Sequence, residues 1–69
     1  MQQYKVLGVL GSVVAIVDSI DDAISTVRTQ VPLTDKKAKQ FAGRIAKCQP
    51  GSYTGVDYGG SGCEVEVLK

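Results

Sequence analysis

The sequence predicts one small α+β domain, with two helices packed on one face of a three-stranded sheet in the order β-α-α-β-β. Two segments with helical spacing of apolar residues follow a short apolar segment near the N-terminus. The last third alternates apolar and acidic residues around a glycine-rich stretch, which is typical of a hairpin. The chain has 69 residues, so we expect a single domain over residues 1–69.

The N-terminal half is predicted to start with a strand over residues 4–10, which are mostly apolar. A helix is predicted over residues 13–31, because apolar residues recur there in steps of three and four. Ser12 would be its N-cap, and Gly11 would let the chain turn into it. The β-branched residues at its start have modest helix propensity, so an alternative stays open. In that alternative the strand continues through Val17 and Ser19 caps the helix.

The second predicted helix follows Thr34, which serves as N-cap, and extends to Cys48. Asp35 lies in its first turn, where the helix dipole favours an acidic side chain. Gly43 inside this helix costs about 1 kcal/mol relative to alanine. We therefore expect Gly43 to allow close packing against another element.

A hairpin is predicted for the C-terminal third. Its arms cover residues 53–58 and 63–68, and a Gly-Gly-Ser-Gly turn at residues 59–62 joins them. In the second arm Cys63, Val65 and Val67 alternate with two glutamates, as in a strand with one buried face.

The predicted strand-helix-helix start and the Gly-Cys-Glu-Val-Glu-Val stretch at residues 62–67 resemble the C-terminal domain of bacterial ribosomal stalk proteins. The resemblance covers these two short stretches. It implies a fold and no function.

The side-chain inventory argues against catalysis. Cys48 and Cys63 stand in a chain without histidine, so they can neither complete a four-ligand zinc site without carboxylates nor use an imidazole base. We expect no enzyme activity, no metal and no other cofactor. A disulfide between them would close a loop of about 15 residues and add about 3 kcal/mol in an oxidising compartment. The first apolar run lacks a cleavage site and is too short to span a bilayer as a helix. A cytoplasmic protein with free thiols and no membrane partner is therefore favoured.

The segment over residues 52–62 has the composition of an adaptable recognition surface, rich in tyrosine, glycine, serine and aspartate. The main hypothesis is a non-catalytic binding protein of the inhibitor or adaptor type that contacts a protein partner. Its size suits a phage-encoded inhibitor or ligand sponge. An ordinary hairpin turn with two half-buried tyrosines stays open as an alternative. The predicted partner-binding residues are Tyr53, Asp57, Tyr58, Gly60 and Ser61.

The second hypothesis is a nucleotide- or nucleic-acid-binding protein that uses the basic second helix and the hairpin tyrosines. Its lysines and arginine suit phosphate contacts, and a helix start after Gly11-Ser12 would present N–H groups to an anion. The net charge of +1 gives no general attraction to polyanions, and a solvated helix face explains the same cations. The predicted anion-binding residues are Gly11, Ser12, Lys36, Lys37, Arg44 and Lys47.

Self-association is expected under both hypotheses. The apolar stretch over residues 6–17 is longer than one small core needs, and exposed apolar surface favours association. Pairing of the basic helix with the acidic first helix of a neighbouring copy is one open route. We therefore expect a homo-oligomer.

Overall fold

A computed structural model describes residues 2–58 and 61–69 of the chain. The described part forms the following elements in chain order: β1 (Tyr4–Leu7), β2 (Val13–Val17), α1 (Ile20–Gln30), α2 (Asp35–Lys47), β3 (Tyr53–Tyr58) and β4 (Ser61–Val67). The strands make one antiparallel sheet in the order β2-β1-β4-β3. Both helices pack against one face of this sheet, so the predicted two-layer α+β architecture is confirmed. The sheet has four strands where three were predicted.

The additional strand, β2, replaces the start of the predicted first helix. The prediction of a helix over residues 13–31 is therefore wrong. α1 begins at Ile20, and Ser19 is its N-cap: the Ser19 hydroxyl accepts a hydrogen bond from the N–H of Asp22 at 3.0 Å. The alternative helix start at Ser19 is thus the observed one, although β1 and β2 are two paired strands and not one long strand.

The physical reason lies in the side chains of β2. Four of its five residues are valine or isoleucine, whose branched Cβ atoms fit a pleated strand better than a helix. The spacing of Val13, Ile16 and Val17 matches a helical period, yet in the strand they do not share a face, because Val17 packs against the core whereas Val13 and Ile16 are exposed. Pairing with β1 decides between the two conformations.

A turn joins β1 to β2. The N–H of Gly8 donates to the carbonyl of Ser12 at 2.8 Å, the N–H of Gly11 donates to the carbonyl of Gly8 at 2.9 Å, and Gly11 has a φ of +80°. Gly11 and Ser12 therefore belong to a hairpin turn. The predictions that Ser12 caps a helix and that this helix start presents N–H groups to an anion are wrong. The pairing register shifts between Val6 and Leu7, which marks a bulge in this hairpin.

The second helix lies where the sequence places it. Thr34 is its N-cap, with the hydroxyl accepting the N–H of Lys37 at 3.2 Å, and Asp35 is in the first turn. The expected close packing at Gly43 is wrong. Gly43 is exposed, and a Cβ added there would meet nothing within 4 Å.

The predicted C-terminal hairpin is confirmed, with a longer ladder. β3 and β4 pair from Tyr53 opposite Glu66 to Tyr58 opposite Ser61. The predicted turn at residues 59–62 is too long, because residues 61 and 62 belong to β4. Residues 59 and 60 lie outside the described residues.

The core lies between the sheet and the helices. Phe41 and Ile45 of α2 and Val27 of α1 pack there against the inner face of the sheet, which contributes Val6 and Val65. Hydrophobic burial of this one face is the main stabilising contribution. The other face of the sheet has no helix of the described residues over it.

Two further observations concern the chemistry of the fold. Both cysteines are free: Cys63 is buried on the inner face of β4, and Cys48 is half-buried at the end of α2. Neither helix of the described part has the length and apolar character that crossing a membrane requires.

Candidate binding surface

We call the sheet face that points away from the helices the open face. Residues directly opposite each other in an antiparallel pair project from the same side of the sheet, so the pairing register gives the composition of this face. Its first row crosses all four strands in the order Ile16, Lys5, Glu66, Tyr53. Its second row has the order Val13, Leu7, Glu64, Gly55.

Large apolar and aromatic side chains are exposed on the open face. Ile16 is 53% exposed, Val13 54% and Tyr53 67%, and Leu10 in the adjoining turn is 91% exposed. Single exposed apolar residues are ordinary in a folded protein, whereas several on one uncovered face mark an interaction site. The open face therefore has the composition of a binding surface.

A charged pair lies between the two apolar ends of the first row. Lys5 Nζ and Glu66 Oε1 are 3.9 Å apart, and each side chain is about one-third exposed. That distance is longer than a charge-assisted hydrogen bond, and exposed ion pairs of this kind contribute little to stability. Both charged groups can therefore still form ion pairs with a partner.

Two glycines, which have no side chain to project, make the β3–β4 half of the open face flat. A Cβ on Gly55 would lie 3.2 Å from Cγ of Glu64, and a Cβ on Gly62 would lie 2.7 Å from Oδ1 of Asp57. Each glycine thus makes room for an acidic side chain from the neighbouring strand. This half of the open face is flat and acidic, and Tyr53 lies at its edge.

The structure divides the predicted partner-binding residues. Tyr53 and Asp57 lie on the open face. Tyr58 and Ser61 form the last pair of the ladder, and Gly60 lies outside the described residues. Sequence reasoning missed Ile16 because it assigned residue 16 to a helix, and it missed Lys5 because the position of Lys5 beside Glu66 depends on the pairing of β1 with β4. The run of β-branched residues in β2 was the signal that would have found Ile16.

The predicted basic face lies on the other side of the molecule. Lys36, Lys37, Arg44 and Lys47 are exposed on α2, on the side opposite its buried residues. Arg44 lies with its guanidinium carbon 5.4 Å from the centre of the Phe41 ring, so it also covers the core.

The other parts of the predicted anion site do not join this face. Tyr53 belongs to the open face, and the Gly11-Ser12 turn adjoins β2, whereas α2 packs over β3 at the opposite edge of the sheet. The structure therefore does not bring the hairpin tyrosine, the turn and the basic helix into one site.

A groove of about 420 Å³ lies between the two helices. An ion pair spans it, with Arg28 Nη2 3.2 Å from Asp35 Oδ1. None of the predicted site residues lines it. The lining residues are Asp21, Ile24, Ser25, Arg28, Asp35, Ala38, Lys39 and Ala42.

Within residues 2–58 and 61–69, no three metal-ligating side chains come together. Burial raises the pKa of the Cys63 thiol, which keeps it protonated and unreactive at neutral pH.

Comparison with known proteins finds no matching family model, no similar curated protein and no similar solved structure. The resemblance to ribosomal stalk domains depended partly on a strand-helix-helix start. The chain instead begins with two strands before its helices.

Proposed function

We propose that the chain is a non-catalytic protein-binding module, of the inhibitor or adaptor type, whose recognition surface is the open face of the sheet. One observation carries the proposal: Ile16 and Tyr53 are exposed on either side of the Lys5–Glu66 pair, on a face that neither helix covers. An exposed aromatic and an exposed aliphatic side chain on a regular scaffold supply contact area at low entropic cost.

The chemistry of the open face also constrains its partner. Glu64, Glu66 and Asp57 outnumber the lysine on this face, so the partner surface needs a cation opposite the acidic half. It also needs apolar atoms opposite Ile16. A protein surface that combines both features meets these requirements.

Photo-cross-linking in the cells that make the protein tests this proposal. A photoreactive phenylalanine derivative at position 53 should form a protein adduct, and the same group at Ser25 in the helix layer should not. Ile16→Glu should abolish the adduct at position 53, because it places a charge in the apolar contact. Equal labelling from both positions, or labelling unaffected by Ile16→Glu, contradicts the proposal.

A second candidate function is phosphate binding by α2, favoured by the exposure of its four predicted cations along one side of the helix. We propose nucleic acid or a nucleotide as the ligand of this face. Lys47→Glu and Lys5→Glu change the net charge equally but on opposite sides of the molecule. If α2 binds phosphate, Lys47→Glu lowers the salt concentration that elutes the protein from heparin more than Lys5→Glu does. Equal shifts, or no retention of the parent protein at low salt, contradict it.

A further inference from the structure

We infer that the open face binds a second copy of this chain, face to face, about a two-fold axis that runs parallel to the strands between β1 and β4. The inference rests on the proposed function and names its partner. It follows from the order of side chains across the sheet, which is complementary to itself under this rotation.

The rotation exchanges strands in pairs. With the axis between the two central strands, β1 of one copy faces β4 of the other, and β2 faces β3. In the first row Lys5 then faces Glu66 of the second copy, and Ile16 faces Tyr53 of the second copy. Each contact occurs twice, as a two-fold interface requires.

The second row fits the same arrangement. Val13, which is exposed, faces Gly55 of the second copy and the aliphatic part of the Glu64 side chain that lies beside this glycine. Leu7 faces Glu64 of the second copy and contributes least. In these two rows no carboxylate lies directly opposite a carboxylate, and the lysine of each copy lies opposite the carboxylate of the first row.

Another symmetric arrangement joins the two copies edge to edge through β2. β2 is an edge strand without charge, which favours such pairing. The register shift opposite its first residues interrupts the regular ladder, however, and bulges protect edges from pairing. The face-to-face arrangement uses more of the exposed side chains.

The size of the face sets the expected affinity. Four strands make a face roughly 19 Å wide, and strands of this length add roughly 17 Å in the other direction. The area of the face is therefore roughly 320 Å². This area is smaller than the roughly 800 Å² per partner of a standard interface. We therefore expect a dimer in the micromolar range, held by the Ile16–Tyr53 contacts and aligned by the charges.

A charge-swap experiment tests the inference. In a dimer of the Lys5→Glu variant, the glutamate at position 5 faces Glu66 of the second copy. In a dimer of the Glu66→Lys variant, the lysine at position 66 faces Lys5 of the second copy. Each variant alone should dimerise at least 10-fold more weakly than the parent chain in sedimentation velocity. An equimolar mixture should recover parent-like association, because both contacts between positions 5 and 66 of the mixed dimer then join opposite charges. Within each chain the original ion pair stays broken, so recovery reports only contacts between copies.

Controls separate this arrangement from others. Lys47→Glu changes the charge of α2 and should leave dimerisation unchanged. Circular dichroism should show that both sheet variants fold, because the two side chains are partly exposed. A parent chain that stays monomeric up to about 500 µM overturns the inference, since that lies far above micromolar affinity. Single variants that dimerise like the parent, or a mixture that does not recover, also overturn it.

The cross-linking experiment distinguishes failure of this inference from failure of the proposed function. An Ile16-dependent adduct with the mass of two chains supports both. A monomeric chain with an Ile16-dependent adduct to a different protein overturns only the second-copy partner. Absence of any adduct from position 53, together with a monomeric chain, overturns both.

Discussion

Gly43 and Gly11 differ in backbone conformation but not in the space around them. A Cβ at either position would meet nothing within 4 Å, yet Gly43 is helical and Gly11 has a φ of +80°. Gly43→Ala should therefore raise the free energy of unfolding by about 1 kcal/mol, through helix propensity. Gly11→Ala should lower it by about 1 kcal/mol, because a side chain is unfavourable at positive φ. Urea unfolding measures both, and a shift of the same sign in the two variants would contradict the assignment.

The two thiols should differ in reactivity. Cys63 is buried and Cys48 is half-buried, so a thiol reagent should modify Cys48 first. Burial raises the pKa of Cys63 in the folded protein. Above its ordinary pKa of about 8.5, the unfolded thiol loses its proton while the folded one keeps it. The contribution of Cys63 to stability is therefore present below that pH and is lost as the pH rises further.

Cys63→Ala checks this sign. The variant should be less stable at pH 7, because it removes a buried side chain. Its free energy of unfolding should fall less steeply between pH 8 and 10 than that of the parent chain, as measured by urea unfolding at several pH values. An equal slope in both proteins would show that Cys63 does not titrate differently on unfolding.

Among the elements, the start of α1 offers a direct test of the corrected fold. Ser19→Ala removes the hydroxyl that accepts the Asp22 N–H, and should cost about 1 kcal/mol. Ser12→Ala should change stability little, because the turn uses the backbone carbonyl of Ser12. Chemical denaturation of the two variants compares them. A larger loss for Ser12→Ala would favour a helix that begins before Ser19.

The outcome for the two helices shows what local sequence can and cannot decide. Local signals sufficed for α2, since Thr34 caps it and its helical period has no competing pattern. For α1 the apolar spacing continues back through Ile16 to Val13, where the residues form β2. The β-branched residues there favour a strand and the pairing with β1 fixes it, and a periodicity argument contains neither signal.

The open face was predictable in part for the same reason. Tyr53 and Asp57 belong to a locally formed hairpin, and composition pointed to them. The row that joins Lys5 to Glu66 exists only because strands from opposite ends of the chain are neighbours in the sheet. Composition and spacing carry no information about that register.

At the scale of the whole molecule, the sheet order makes folding depend on both ends of the chain. β1 and β4 are the central pair, with Tyr4 opposite Val67, and the N–H of Leu68 donates to the carbonyl of Gln3 at 2.9 Å. A fragment of residues 1–52 lacks the strand that β1 needs and should not fold. Circular dichroism should show this fragment without cooperative unfolding.

A circular permutant provides the matching positive case. Joining residues 69 and 1 by a short flexible linker and opening the chain in the exposed turn between residues 10 and 11 retains every strand. Because Gln3 and Leu68 are already hydrogen-bonded neighbours, this protein should fold with a cooperative urea transition. Loss of the fold in the permutant would show that the β1–β4 pair is not formed as described.

The central β1–β4 pair also determines how the protein responds to mechanical force. The two strands are antiparallel, so the N-terminal end of β1 and the C-terminal end of β4 lie side by side. Tension applied between the two ends therefore pulls the strands apart sideways and loads their hydrogen bonds one after another, as in opening a zipper. Strands pulled lengthwise past each other would resist with all their hydrogen bonds at once. We expect this sheet to separate between β1 and β4 at low force, into the β1–β2 hairpin and the β3–β4 hairpin.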